Sequence, residues 1–302
     1  MKNTYCVIDV GTNNVLMLIA SLTDHLEIIK RDSSVSALGK DMKNDILNPV
    51  AIDRSKIILI DFIKQAYPFT KNIIVVGTSC SRDAKNISLL SDWLEDIYHL
   101  KYHIISGDEE ARLNGIANIY EFSEINNIIL FDVGGGSTEF IWIKKKKIIQ
   151  TQSIDIGVRR LQNMFDSDYQ KKKIETKRLL GILPSSPFEN PVLIGIGGTA
   201  TSLSAIKFQL DDYDPKIVHK SKIAKSELKI ILSRLHGKTN KEIEKNMPFE
   251  PKRADLIETG TMIITEILDY FEVEEFFVSD RGIQFGILAQ DKQDLVKMLS
   301  IG

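Results

Sequence analysis

Val7-Ile8-Asp9-Val10-Gly11-Thr12-Asn13-Asn14 opens the chain, and Leu130-Phe131-Asp132-Val133-Gly134-Gly135-Gly136-Ser137-Thr138-Glu139 repeats its plan. In both, an apolar run ends in a carboxylate, small residues follow, and a second apolar run begins, Val15 to Ala20 and Phe140 to Ile143. Each reads as a β-hairpin with an anion-sized gap at its tip. Two such hairpins imply two repeated halves with a cleft between them. There the backbone N–H groups of both turns can converge on phosphate oxygens, while Asp9, Asp132 and Glu139 stand close enough to hold a divalent cation.

Outward from these hairpins, strand and helix patterns alternate, which predicts an α/β protein. In the first half, strands at Tyr5 to Val10, Val15 to Ser21 and Glu27 to Arg31 precede a helix opened by Asn48-Pro49, an N-cap followed by proline at the first helical position. Strand Ile73 to Val76, a helix near Leu89 to Tyr98, strand Tyr102 to Ile105 and a helix from Asp108 to about Phe122 follow. The second half repeats the order, with strands Ile128 to Val133, Glu139 to Ile143, Ile148 to Ser153, Val192 to Ile196 and Glu275 to Val278. Helices are expected near Val158 to Phe165, Tyr169 to Leu180, Ser226 to Leu235, Asn240 to Glu244 and Arg253 to Phe271, with a last one from about Gly282.

Composition bounds the function. The 302 residues carry a formal charge of −2, which excludes a generally basic surface for coating nucleic acid, so anion binding must be local. Neither a leader-like apolar segment nor a membrane-length apolar run is present, and a cytoplasmic location is expected. Cys6, in a strand, and Cys80, in a loop, are too few for a disulfide framework or a zinc site. His99 and His103 read as structural, and His25, His219 and His236 as isolated.

Six segments occur together: Asp9 to Asn13; Val76-Gly77-Thr78-Ser79 with Arg82; Ile105-Ser106-Gly107-Asp108-Glu109-Glu110-Ala111-Arg112; Asp132 to Glu139; Gly197-Gly198-Thr199-Ala200-Thr201; and Ser279-Asp280-Arg281-Gly282. In that order they resemble the exopolyphosphatase / guanosine pentaphosphate phosphohydrolase (Ppx/GppA) family in its short two-domain form. The resemblance implies an actin-like ATPase (sugar kinase/Hsp70/actin) fold, two ribonuclease-H-like domains with a cleft between them. The expected domains are residues 1–124 and 125–287, with a C-terminal helix at 288–302 joining the first.

The chemistry reads alongside. Gly134, Gly135 and Gly136 let a backbone approach phosphate closely, and Ser137 and Thr138 add hydroxyl donors. Gly11, Thr12, Asn13 and Asn14 form the matching turn, and Gly197, Gly198 and Thr199 a third small-residue loop at a helix start. By resemblance Asp132 and Glu139 are the Mg²⁺ carboxylates, a donor set that suits Mg²⁺ because it takes one or two carboxylates plus substrate oxygens and water. Glu109 and Glu110, read alone, stabilise a helix N-terminus. By resemblance Glu110 is the base that deprotonates the attacking water, with Glu109 a supporting neighbour, and Arg82 is the cleft's phosphate clamp.

The chain departs from the family at Asn14, Val15 and Leu16, where a serine and a basic residue are usual, and at Gln284 and Phe285, where an arginine and a glutamate are usual. The expected activity is Mg²⁺-dependent release of the terminal phosphate of inorganic polyphosphate, guanosine pentaphosphate, or both. The alternatives are a guanosine tetra- or pentaphosphate-binding regulator with little turnover, an actin-like-fold phosphotransferase and, more distantly, a polymerising scaffold. Expected partners are these phosphate compounds; a homodimer stays open, and nucleic acid and membrane are not expected.

Overall fold

The first hairpin forms between β1 (Thr4–Val10) and β2 (Asn14–Leu22), antiparallel, with Val10 opposite Val15 and Asp9 opposite Leu16. The structure, a computed structural model, describes residues 3–23 and 26–299. His25 lies outside the described residues. β3 (Leu26–Val35) continues the meander, and α1 (Pro49–Ala66), β4 (Ile73–Gly77), α2 (Ser79–Asp83), α3 (Ser88–Tyr98), β5 (Tyr102–Ile104) and α4 (Gly107–Ile119) follow. Asn48 caps α1 by accepting the Val50 N–H at 3.0 Å, with Pro49 at the first helical position. Cys80, expected in a loop, lies in α2, a single helical turn held by the Ser81 and Arg82 N–H groups on the Thr78 carbonyl. A turn that short carries no periodicity to read.

Strand order in the first sheet is β3-β2-β1-β4-β5, the meander antiparallel and β4 and β5 parallel to β1. The same order recurs after β6 (Asn127–Val133), β7 (Thr138–Lys144) and β8 (Lys147–Ile154). Past α5 (Val158–Phe165) and α6 (Tyr169–Leu180), β9 (Val192–Ile196) pairs parallel to β6. α7 (Gly197–Lys207), α8 (Pro215–Val218), β10 (Lys222–Ala224), α9 (Lys225–Leu235), α10 (Asn240–Glu244), α11 (Ile257–Tyr270) and β11 (Glu275–Val278) complete it. The second sheet runs β10-β11-β9-β6-β7-β8, the first sheet's plan with β10 added antiparallel at one edge.

The chain closes with α12 (Ile283–Leu288) and α13 (Lys292–Leu299), two pieces where one helix is expected. The break falls where the Asp291 carboxylate accepts the N–H groups of Gln293 and Asp294, each at 3.0 Å, and so caps a new helix.

Two compact units result, Met1–Ala117 with Ile283–Gly302, and Asn118–Gly282. Alternation along β1 explains the first. Cys6, Ile8 and Val10 pack with Leu59, Phe62 and Ile63 of α1 and Leu90 and Leu94 of α3, whereas Tyr5 and Val7 pack with Leu113 of α4 and Ile283, Phe285 and Ile287 of α12. A central strand buried on both faces needs cover on both, and α12 supplies part of one. In the second unit, Phe131, Phe140 and Trp142 join Leu203 of α7 and Met262, Ile263 and Leu268 of α11 in one core.

Candidate active site

The second hairpin sets its two acids by register. Asp132 and Glu139 are direct cross-strand partners, so both side chains project from the same face beside the turn. Glu139 is buried and its Oε1 accepts from Ser153 Oγ at 2.8 Å. Gly197, with φ +74°, opens α7 beside Asp132; a Cβ there would overlap the Asp132 carboxylate. Only glycine therefore lets the helix start approach this acid. Two hard oxygen donors on one face suit Mg²⁺, whose remaining positions go to water or substrate. Among the described residues no group of three or more His, Cys, Asp or Glu side chains is arranged to hold a metal ion. In the first hairpin Leu16 stands opposite Asp9, so the acid pair belongs to the second hairpin alone.

Both turns close alike. Gly134 N–H donates to the Ser137 carbonyl at 3.0 Å, and Gly11 N–H to the Asn14 carbonyl at 2.9 Å. Thr138 Oγ1 donates to the Ile156 carbonyl at 2.6 Å, and Thr199 Oγ1 to the Val133 carbonyl at 2.8 Å, which ties the third small-residue loop to the strand carrying Asp132. Ser137 Oγ is buried at the tip. Gly198 packs against the Arg253 guanidinium, which pairs with Glu250 at 2.9 Å.

In the first unit the structure joins two of the predicted residues. Arg82 donates from one guanidinium nitrogen to Glu110 Oε2 at 2.7 Å and to the Ile105 carbonyl at 2.9 Å. Ser106 is the N-cap of α4, its Oγ accepting the Glu109 N–H at 3.1 Å. Glu110 thus sits in the first turn, buried, while Glu109 faces outward in a bidentate pair with Arg112. That pair raises the Arg112 pKa. Thr12, Asn13 and Asn14 are buried at the first hairpin tip. Asp9 lies close enough to Tyr102 that, after burial and with Cys80, its charge helps push the phenol's pKa up.

Comparison with known proteins decides the family. Residues 18–294 match the Ppx/GppA phosphatase family. The chain belongs to that family of hydrolases. It is 27% identical to "Exopolyphosphatase 2" of Mycobacterium tuberculosis, covering 93% of this chain and 96% of that protein. It is 32% identical to the "Bifunctional 3-dehydroquinate synthase/phosphatase" of Fusobacterium nucleatum over 94% of this chain, and it spans about half (46%) of that relative's length. The Ppx/GppA enzyme of Aquifex aeolicus superposes with a TM-score of 0.79 at 26% identity, covering 96% of this chain and 99% of that one. The Ppx/GppA architecture, an α/β actin-like ATPase fold, accounts for the repeated strand order of the two sheets.

Within this Ppx/GppA chain the Ser279-Asp280-Arg281-Gly282 segment organises a charged cluster. The Asp280 N–H donates to His219 Nδ1 at 3.2 Å, Tyr213 OH donates to Asp280 Oδ1 at 2.8 Å, and Arg281 Nε meets Glu121 Oε1 at 3.2 Å. Burial pushes the Glu121 carboxyl up, but hydrogen bonds from His219, Lys220 and Arg281 outweigh it and hold the pKa at about 2. Because the folded value is depressed, the stability it contributes is present above the ordinary carboxylate range and is lost as pH falls toward 2. Glu121→Gln is expected to flatten the fall in urea midpoint between about pH 5 and pH 2; an unchanged acid limb removes Glu121 from that role. Among the described residues no helix is long and apolar enough to cross a membrane.

Reading the sequence missed Gly157 and Arg160, which contact the glycine turn, and Arg253 against Gly198. A glycine immediately before the apolar start of α5 was the available signal for the first; the two arginines carry no local signature.

Proposed function

We infer that this chain is a Mg²⁺-dependent phosphohydrolase that releases the terminal phosphate of inorganic polyphosphate, of guanosine pentaphosphate, or of both. The observation that carries this reading is the Asp132–Glu139 pair, directly opposed on one sheet face beside a glycine turn. Left uncompensated, two facing carboxylates repel, and a divalent cation turns that repulsion into binding. Asp132 and Glu139 would hold Mg²⁺, which would supply neutralisation of charge on the phosphate being released.

The remaining work falls to the chain's own groups. The remaining amides of the Gly134–Ser137 and Gly11–Asn14 turns and the Ser137 hydroxyl bind and orient phosphate oxygens, whereas the Thr138 hydroxyl, expected as a further donor, is buried and gives its proton to the Ile156 carbonyl, so it holds the turn instead. Glu110 takes the proton of the attacking water onto a carboxylate oxygen. Arg82, at 2.7 Å from Glu110, orients that carboxylate and offers its remaining N–H groups to a phosphate. Gly197, Gly198 and Thr199 receive phosphates further along the substrate. Asp9, at the corresponding place in the first hairpin, would be the third acid available to the cation.

Near-complete mutual coverage with an exopolyphosphatase of Mycobacterium tuberculosis favours polyphosphate as the first substrate. Phosphate release from long-chain polyphosphate and from guanosine pentaphosphate, each with Mg²⁺ and with a chelator, tests the reading. Release from either that the chelator abolishes supports it. Binding of either compound in Mg²⁺ without release would overturn it in favour of a non-hydrolysing regulator.

A further inference from the structure

The three carbonyls of the glycine turn all face one helix start. Gly134 O accepts the Val158 N–H at 3.0 Å, Gly135 O accepts the Arg159 and Arg160 N–H groups at 2.8 and 2.9 Å, and Gly136 O accepts Arg160 Nε–H at 2.6 Å. In a trans peptide the C=O and the following N–H point in opposite directions, so tying these carbonyls to α5 turns the N–H groups of Gly135, Gly136 and Ser137 away from it. The first hairpin does the same by other means. Thr12 O accepts the Gly39 N–H at 2.9 Å and Asn13 O the Ala37 N–H at 2.7 Å. There the backbone ties both carbonyls, whereas on Gly136 one side chain does so.

We propose that Gly157 and Arg160 are positioning residues that set the Gly134–Gly136 turn from behind and so aim its amides at substrate phosphate; this rests on the reading of that turn as the phosphate site. Gly157 lets α5 close on the turn, since a Cβ there would lie 2.5 Å from the carbonyl carbons of both Gly135 and Gly136, backbone atoms that cannot swing aside. Arg160 completes the set with a charge-assisted bond that no backbone group supplies.

Arg160→Met is the test. It is expected to raise KM for polyphosphate and the inhibition constant of inorganic phosphate roughly ten-fold, the worth of one charge-assisted hydrogen bond, with kcat and the melting temperature little changed. Arg160→Lys keeps the charge without placing an Nε–H on the Gly136 carbonyl and is expected to stay weak. Asp155→Asn, which removes the exposed acid 3.5 Å from Arg160, is expected to behave as wild type. Unchanged KM in Arg160→Met, full recovery in Arg160→Lys, or parallel loss of kcat and melting temperature each overturns the proposal.

Amide resonances of Gly135, Gly136 and Ser137, followed as inorganic phosphate and Mg²⁺ are added, separate this from the activity itself. A wild-type chain whose amides respond, more weakly in Arg160→Met, but which hydrolyses neither substrate sinks the phosphohydrolase reading and upholds the positioning role. A chain that hydrolyses while those amides stay silent to phosphate overturns the positioning role.

Discussion

Glu110→Gln is expected to cut phosphate release by about 10²–10⁴-fold, the range a positioned general base contributes, with KM held within about three-fold. The substitution keeps the side chain's length and an oxygen acceptor for Arg82, whose guanidinium lies 2.7 Å away, so the local fold should persist. What disappears is the ability to take the water's proton. Steady-state kinetics with long-chain polyphosphate, alongside circular dichroism to confirm folding, decide the matter. Turnover within a few-fold of wild type removes Glu110 from the mechanism. A matched rise in KM would make it a binding group instead, because loss confined to kcat marks an interaction made in the transition state.

Asp132→Asn is expected to move two observables in opposite directions. The Mg²⁺ concentration for half-maximal activity should rise by about ten- to hundred-fold, since one of two protein ligands loses its charge. The metal-free chain should become slightly more stable, by about 0.2–1 kcal/mol, because two carboxylates directly opposite on a sheet repel. Thermal denaturation with and without Mg²⁺ reads both: wild type gains stability on adding the ion and the variant does not. An unchanged Mg²⁺ titration refutes the ligand assignment. A fall in metal-free stability would mean that Asp132 serves the fold rather than the ion.

Much of the fold was legible because it rests on short-range signals. The alternation of Tyr5 to Val10 and Ile128 to Val133, the small residues after Asp9 and Asp132, and the Asn48-Pro49 cap each act within a few residues, and each formed where read. Where the signal is shorter than one period the pattern carries nothing: α2 around Cys80 and the break between α12 and α13 at Asp291 have no periodicity of their own. The candidate site divided along the same line. Its acids and glycines stood out as motifs, but nothing local to Arg82 names Glu110, 28 residues on, as its partner. Nothing local to Arg160 points to the Gly136 carbonyl.

The sequence by itself determined the two hairpins, their acid-and-glycine tips and membership of the Ppx/GppA phosphatase family, since strand pairing across a tight turn is a local choice of side chains and backbone freedom. Tertiary structure alone decided that Arg82 closes on Glu110, that α5 turns the glycine carbonyls to itself, and that Ile283–Leu288 returns to cover the first sheet. Those contacts join segments far apart in the chain. Their selection depends on which buried surfaces and polar groups satisfy one another once the chain is folded, a condition that no single segment carries.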